Sequence, residues 1–172
     1  DDAQAALSLL QPVSYHQELA LDDIRVIWRP AGHSLGSAII EILVPVEQGI
    51  KKIVFSGDLG RYASEIMKSP FEIEETDTLV MESTYGNRVH DEDSIDNHLE
   101  KLIKRIIESK GVLVIPAFTV GRTQQVLYHI RKLEDQGRIA KIPVFIDSPM
   151  AVDVSHLYCE YGDDHNLDVN LL

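Results

Sequence analysis

The chain has 172 residues and a mass of 19.3 kDa, which is long enough for one ordinary domain or two small ones. Its formal net charge of -12 excludes a protein that binds nucleic acid over its whole surface, because contact with the phosphate backbone depends on clustered Lys and Arg. The single Cys159 excludes an internal disulfide and a zinc site built from thiolates alone. A bound metal would therefore need His and carboxylate ligands.

Membrane and export signals are missing from the sequence. No run of about 18 apolar residues is present, and residues 1–10 have neither the basic start nor the cleavage pattern of a signal peptide. We therefore expect a cytoplasmic protein that has no membrane partner. The sequence leaves the oligomeric state open, a homodimer included.

The first half of the chain is predicted to form a β-meander. Segments rich in Ile and Val, typical of strands, cover residues 24–28, 37–44 and 51–55. The turn-like residues 45–49 join the last two segments into a hairpin.

The pattern changes to β-α-β-α-β near residues 85–91. Short continuous apolar runs at residues 78–82, 111–115 and 142–146 predict strands, and segments of helical period separate them. Right-handed crossovers between such strands give a parallel sheet, and the loops at the carboxyl ends of the strands meet at one edge. We expect functional residues at that edge.

Two amphipathic helices are predicted between these strands. The first begins at a cap residue, Asp93 or Ser94, and ends before Gly111, whereas the second covers residues 123–136 and is followed by Gly137. Apolar residues at helical spacing define one buried face on each helix. These faces consist of Ile95, Leu99, Leu102, Ile103, Ile106 and Ile107 in the first helix, and of Val126, Leu127, Ile130 and Leu133 in the second.

The first candidate site combines His33 with Asp58. If the hairpin pairs Val44 with Lys51, the same register places Asp58 opposite Ser37, beyond the end of the ladder and near His33. An imidazole and a carboxylate are ligands that zinc and manganese accept. The alternative is a satisfied polar His beside an ordinary Gly-Asp turn, and a catalytic zinc needs more ligands than these two. The flanking glycines, which let the backbone approach an ion closely, are Gly32, Gly36, Gly57 and Gly60.

Polar residues at the predicted sheet edge form a second group of candidates. Glu82 ends an apolar strand, so it either orients a catalytic His or accepts backbone N–H groups from the Ser83 loop. Thr119 and Arg122 lie at the start of a helix, where backbone donors and the helix dipole attract phosphate. The alternative for Arg122 is an ion pair across the sheet edge. Ser148 belongs to an Asp-Ser-Pro sequence that also fits a turn or the start of a helix.

The remaining histidines are interpreted as structural or exposed residues. Those that stand singly among strand or helix patterns are His16, His98, His129 and His156, and those in acidic stretches, where we expect exposure, are His90 and His165. Residues 90–93 resemble a metal cluster, but a run that precedes and caps a helix explains them more simply.

Five short runs, in their order along the chain, resemble the β-CASP nucleases of the metallo-β-lactamase fold. They cover residues 31–38, 54–61, 82–86, 116–124 and 147–151. The Glu-Ser-Thr-Tyr-Gly run and the Pro-Ala-Phe…Gly-Arg loop are more similar to the polyadenylation-type endonucleases and related RNA-processing exonucleases than to RNase J. The resemblance extends over nearly the whole chain.

The resemblance implies the roles of several residues. His33 and Asp58 match metal ligands, with Asp58 bridging two divalent metals, zinc or alternatively manganese. Asp58 and Glu82 are then the catalytic residues, Glu82 by supporting a catalytic His. The implied reaction is hydrolysis of single-stranded RNA by two metals about 3.5 to 4 Å apart. The phosphate-binding candidates are Ser83, Thr119, Arg122 and Ser148.

The resemblance also implies an α/β fold in two parts. Residues 1–86 correspond to part of a metallo-β-lactamase αββα sandwich, and residues 87–172 to the first part of a β-CASP α/β insertion with a parallel sheet. The His-x-His-x-Asp-His motif that supplies most metal ligands in this family is not in the chain, nor are the later β-CASP motifs. We therefore expect an internal fragment that is inactive by itself.

Two other functions compete with the nuclease hypothesis. A non-catalytic scaffold of the same fold would bind RNA or a processing partner, but such proteins usually lose metal ligands, whereas His33, Asp58 and Glu82 are present. A nucleotide-binding module is the other alternative, and neither Gly-x-Gly-x-x-Gly nor Gly-x-x-x-x-Gly-Lys occurs to support it.

Overall fold

A computed structural model of the chain describes residues 2–89 and 94–167. The chain forms two compact units. Unit 1 consists of Asp1–Ala63 and Ser69–Glu82, and unit 2 of Ser64–Lys68 and Ser83–Leu172. The histidine-containing run at residues 90–93, which is predicted to cap a helix, lies outside the described residues.

Unit 1 contains a five-stranded sheet in which the strands follow one another in chain order. The first four strands are antiparallel neighbours, as predicted for a meander, and the fifth pairs in parallel with the fourth. The elements are α1 (Asp2–Leu7), β1 (Glu18–Leu21), β2 (Ile24–Pro30), β3 (Ala38–Val46), β4 (Gly49–Phe55) and β5 (Thr78–Val80).

The register of the β3–β4 hairpin is as predicted. Val44 pairs with Lys51, and the ladder runs from the turn to the pair Ile40 and Phe55. Gly49 closes the turn with a φ of 119°, a conformation that a side chain would disfavour. The loops that carry His33 and Asp58 therefore leave the same end of the hairpin.

Two strands of this sheet differ from the prediction. β1 was not predicted, and β5, which was predicted to begin the parallel sheet of the second half, instead joins unit 1 beside β4. Side-chain contacts hold β5 there, because Asp77 Oδ2 accepts the Lys52 N–H at 2.7 Å and Thr76 Oγ1 donates to the Lys52 carbonyl at 2.9 Å. Such contacts leave no trace in hydrophobic periodicity.

The core of unit 1 lies on one face of the sheet and includes a buried carboxylate. Ala31, Ile39 and Val54 are almost fully buried together. Glu41, only 3% exposed, is paired with Arg29 at 2.5 Å and with Lys52. Burial alone would raise the pKa of Glu41, but the hydrogen bonds and charges of its two partners outweigh burial and lower it.

The described residues of unit 2 form three α-helices, of which the first two are confirmed close to their predicted bounds. They are α2 (Ile95–Ser109), α3 (Arg122–Asp135) and α4 (Pro149–Glu160), followed by a 3-10 turn at Gly162–Asp164. Their core contains Leu99, Ile103, Ile130, Leu133 and Ile139. Ile95, Leu102 and Ile107 of the predicted α2 face remain partly exposed. None of the helices described is long and apolar enough to cross a membrane.

An ionic network around the buried pair Asp96 and His129 ties α2 to α3. Asp96 lies 2.6 Å from His129 Nδ1 and 3.0 Å from Lys132 Nζ, and Lys132 also pairs with Glu65 at 2.6 Å. Burial would raise the pKa of the Asp96 carboxyl, but the bonds from Lys132 and His129 hold it below its ordinary value. His129 is therefore a structural residue, in agreement with the interpretation of the single histidines.

The strands predicted at residues 111–115 and 142–146 are absent from the described structure, which assigns no ladder to either segment. Val112, Val114 and Phe145 are 84%, 80% and 88% exposed. Their residue types favour extended backbone, but a strand requires a neighbour that completes its hydrogen bonds. The second sheet of the predicted αββα sandwich is likewise not among the described residues, so the structure supports a mixed α/β fold.

Candidate metal and phosphate site

The loops that carry His33 and Asp58 touch each other through glycine backbones. Gly60 donates its N–H to the Ala31 carbonyl at 2.8 Å. A Cβ atom on Gly60 would lie 1.8 Å from the Gly32 carbonyl oxygen and 2.8 Å from the His33 nitrogen. Only glycine permits this approach, so the structure brings the two predicted metal-binding loops together.

Hydrogen bonds fix the backbone of the His33 loop, which spans residues 31–37. The Ser37 hydroxyl oxygen accepts the N–H groups of His33 and Ser34, both at 3.1 Å. The Ser37 carbonyl accepts from the Ala31 N–H at 3.0 Å and from the Tyr15 hydroxyl at 2.9 Å. The His33 side chain is exposed, so the loop holds a solvent-facing imidazole on an ordered backbone.

The loop of Asp58 is held by the end of β5. The Ser56 N–H donates to the Val80 carbonyl at 2.9 Å, and the Glu82 N–H donates to the Ser56 hydroxyl at 3.0 Å. Glu82 Oε1 in turn accepts the N–H of Leu59, the residue after Asp58, at 2.6 Å. The carboxylate of Asp58 itself is exposed.

Glu82 thus accepts the backbone N–H of Leu59, and acceptance of N–H groups from the Ser83 loop stays a prediction. Ser83 lies in an exposed turn that the Gly86 N–H closes by donating to the Ser83 carbonyl at 2.9 Å. Support of a catalytic His by Glu82 stays a prediction. The bond between Glu82 and Leu59 fixes the backbone beside Asp58.

The chemistry of the donors fits part of a metal site. His33 offers an imidazole nitrogen and Asp58 a carboxylate, which suit zinc and manganese, and both are exposed on loops whose backbones are in contact. Among residues 2–89 and 94–167, no group of three or more His, Cys, Asp or Glu side chains is placed to hold a metal ion. The described chain therefore offers two donors of a larger ligand set.

In unit 2, the predicted phosphate-binding residues Thr119 and Arg122 lie at the start of α3. Gly121, with a φ of 79°, precedes the first helical residue. The Arg122 side chain is exposed, and its Nη1 donates to Gln125 Oε1 at 3.2 Å. The guanidinium is therefore in solvent at a helix N-terminus, the position that the phosphate hypothesis requires.

Ser148 is the N-cap residue of α4. Its hydroxyl oxygen accepts the Ala151 N–H at 3.2 Å, and Pro149 occupies the first helical position. The helix-start interpretation of the Asp-Ser-Pro sequence is confirmed. Contact of Ser148 with phosphate stays a prediction.

The predicted exposure of His165 is wrong, since this residue is only 4% exposed. Its Nε2 donates to the Tyr158 carbonyl at 2.6 Å, its Nδ1 accepts the Leu167 N–H at 3.0 Å, and its ring stacks on Tyr158 at 5.4 Å. Tyr158 lies in the last turn of α4, where carbonyls lack helical partners. His165 is buried because it donates to one of these carbonyls. The acidic residues beside it in the sequence give no indication of this bond.

Comparison with known proteins gives a consistent result. The Beta-Casp domain family matches residues 123–172. Ribonuclease TTHA0252 of Thermus thermophilus is 33% identical over 162 residues, which are 92% of this chain and 36% of that protein. An RNase J-like protein of Methanocaldococcus jannaschii is 29% identical over 94% of this chain and 38% of its own length. Cleavage and polyadenylation specificity factor 73 of Drosophila melanogaster is 28% identical over 93% of this chain and 23% of its own length.

The chain spans little more than a third of the first two of these relatives and less of the third. Within that span, the similarity covers both units and all the sequence runs that carry the resemblance. The chain belongs to the β-CASP family.

Proposed function

We propose that the full-length protein containing this chain is a metal-dependent phosphodiesterase that cleaves single-stranded RNA. The main observation behind this proposal is the backbone contact of Gly60 with Gly32 and His33. This contact brings the loop that carries the Asp58 carboxylate against the loop that carries the His33 imidazole. The names of relatives as ribonucleases support RNA as the substrate. The net charge of -12 limits RNA contact to local sites.

In this proposal, the His33 imidazole and the Asp58 carboxylate would each be a ligand of a bound divalent metal, either zinc or manganese. Two such metals, when bound, would lower the pKa of a water and stabilise charge on the phosphate. The backbone on the carboxyl side of Asp58 is held by the contact of Gly60 and by the bond from Leu59 to Glu82, and the exposed Asp58 carboxylate would serve as a ligand of the bound metals. Glu82 acts by fixing Leu59 and so the backbone of Asp58.

The substrate backbone would be bound by polar groups of unit 2. We assign this role to Ser83, Thr119, Arg122 and Ser148, as predicted from the sequence. Arg122 is the main contact, because its guanidinium is exposed beside a helix N-terminus and can bind phosphate in a bidentate way. The others contribute hydroxyl groups.

We also propose that residues 111–115 and 142–146 become strands of a parallel sheet in the full-length protein. The exposure of Val112, Val114 and Phe145 supports this, since such side chains are normally covered. Amide hydrogen exchange in the full-length protein should be slow at these residues. Exchange as fast as in an unfolded peptide would contradict the proposal.

The proposed activity is tested by comparing Asp58→Ala with Asp23→Ala in the full-length protein. Both residues are exposed carboxylates, so neither change should disturb folding. Cleavage of a labelled single-stranded RNA in zinc or manganese should fall at least about 1,000-fold in Asp58→Ala, equivalent to about 4 kcal/mol of barrier, and should be retained in Asp23→Ala. Undiminished cleavage by Asp58→Ala would refute the proposal, and absence of cleavage by the wild type would favour a scaffold.

A further inference from the structure

Gln124, in the first turn of α3, has no exposed surface, although Arg122 two residues earlier is exposed. The orientation of its amide is fixed by its partners. Oε1 accepts the Gly121 N–H at 2.8 Å, while Nε2 donates to the Thr119 carbonyl at 3.3 Å and to the Ser155 hydroxyl at 3.0 Å. The reverse orientation would place an oxygen against the Thr119 carbonyl and a nitrogen against the Gly121 N–H.

The hydrogen bonds continue from Gln124 into the start of α4. The Ser155 hydroxyl donates to the Ala151 carbonyl at 2.8 Å, and Gln124 Nε2 lies 3.5 Å from the same carbonyl. The Ala151 N–H donates to Ser148 Oγ at 3.2 Å. A continuous chain of bonds therefore connects Thr119 with Ser148, two of the proposed phosphate contacts.

Capping of α3 alone does not explain this arrangement. A Gln or Glu at the third helical position can accept an N–H group from the residue before the helix, as Gln124 does from Gly121. That contact needs only an acceptor and is compatible with an exposed side chain. The burial of Gln124 and its donation to Ser155 show that the amide joins two helices.

We infer that Gln124 is a positioning residue for RNA binding, an inference that rests on the proposed function. It holds the loop before α3, residues 119–121 (the Thr119 loop), and Arg122 in a fixed relation to Ser148. These phosphate contacts are then already ordered when neighbouring phosphates of the RNA bind to them. Ser155 is its partner on α4. Because Gln124 is fully buried, it would act on RNA through the residues that it holds.

The test uses Gln124→Met and Ser155→Ala in the full-length protein, with RNA and with the small diester bis(p-nitrophenyl) phosphate. Met keeps the length of Gln and removes its hydrogen bonds. The KM for RNA should rise about tenfold in Gln124→Met, and kcat together with turnover of the small diester should stay within about twofold of the wild type. Ser155→Ala should raise the KM for RNA about threefold, because one of the Gln124 partners is lost.

Two controls separate positioning from loss of stability. Ile130→Val removes a buried methyl group from the same helix and should lower Tm, and Ile130 contributes no side-chain hydrogen bond to the chain from Thr119 to Ser148. Gln136→Ala changes an exposed glutamine at the other end of α3. Neither should change the KM for RNA, and if Gln124→Met does not fold, Ser155→Ala decides the question.

An unchanged KM for RNA in both Gln124→Met and Ser155→Ala would overturn the inference. An equal rise of this KM in Ile130→Val, when its Tm falls as much as that of Gln124→Met, would also overturn it. Either result leaves the nuclease proposal intact. An equal loss of activity on the small diester would also overturn the inference. The small diester contains only the phosphate that is cleaved, so it has none of the neighbouring phosphates that these RNA-binding groups would contact. If the wild type cleaves neither substrate, the proposed function fails first and the inference fails with it.

Discussion

The carboxylate of Glu82 accepts the backbone N–H of Leu59 at 2.6 Å, and Leu59 directly follows Asp58 in the chain. The N–H of Glu82 also donates to Ser56 on the other side of the same loop, at 3.0 Å. Bonds to an ionised carboxylate are roughly twice as strong as those between neutral groups. The end of β5 therefore holds the Asp58 loop from both sides.

Replacement of Glu82 distinguishes a backbone clamp from a purely ionic role. Glu82→Ala in the full-length protein should lower the free energy of unfolding by about 1 to 2 kcal/mol and reduce RNA cleavage, because the Leu59 N–H loses its acceptor. Glu82→Gln keeps an acceptor oxygen at the same distance and should restore much of both. Thermal unfolding and cleavage rates measure the two effects. A Gln variant as impaired as the Ala variant would show that the charge, rather than the clamp, is what matters.

Gly60→Ala should separate the loops of His33 and Asp58. Its methyl group would lie 1.8 Å from the Gly32 carbonyl oxygen, so the backbone must move. We expect destabilisation of about 1 to 3 kcal/mol and weaker metal binding by the full-length protein, measured by denaturant unfolding and metal titration. The matched control is Gly111→Ala, where the nearest atom is a serine hydroxyl oxygen 3.2 Å away. Normal metal affinity in Gly60→Ala would contradict the proposed geometry.

The network around Asp96 predicts a pH dependence of stability. Since bonds from Lys132 and His129 lower the pKa of Asp96 despite its burial, this carboxylate stabilises the folded state above its ordinary pKa of 3.8. That stability is lost as the pH falls through the lower folded pKa. Asp96→Asn should cost about 2 kcal/mol near neutral pH, and the difference from wild type should shrink below pH 3.8.

Denaturant unfolding of the full-length protein at several pH values measures this difference. Asp153→Asn, an exposed acidic residue of α4, serves as the control and should have little effect at any pH. A stability difference for Asp96→Asn that does not change with pH would show that the Asp96 charge contributes nothing.

The fold was predictable where local pattern decides it. The register of β3 with β4 follows from the turn and the alternation of apolar residues, and α2 and α3 follow from helical spacing with a glycine after each. The position of β5 was not predictable, because Asp77 and Thr76 attach it to β4 through contacts remote in sequence. Residues 111–115 show the same limit, since strand propensity without a neighbour gives no strand.

The candidate site was predictable in part for similar reasons. Hairpin register and flanking glycines predict that His33 and Asp58 lie at one end of the sheet, and the contact of Gly60 agrees with this prediction. The burial of His165 and Gln124 was not predictable, because both side chains bond to residues of α4, a helix that the sequence pattern did not predict. Polar residues bonded to helix ends carry no periodic signal.

The isolated 172-residue chain should neither hold two metals tightly nor cleave RNA. Within residues 2–89 and 94–167, His33 and Asp58 are the two candidate ligands, whereas a two-metal site needs more donors. Elemental analysis after dialysis, together with an RNA cleavage assay, measures both properties. Two tightly bound metals per isolated chain would contradict this expectation.

The central claim is that Asp58 is a metal ligand in the full-length protein, and bound-metal content tests it most directly. Elemental analysis after gel filtration should give about two metals per chain for the wild type and for Asp23→Ala, and about one or fewer for Asp58→Ala. His33→Ala should also lose metal, with His98→Ala as its exposed control. Full metal content in a folded Asp58→Ala protein would contradict the account.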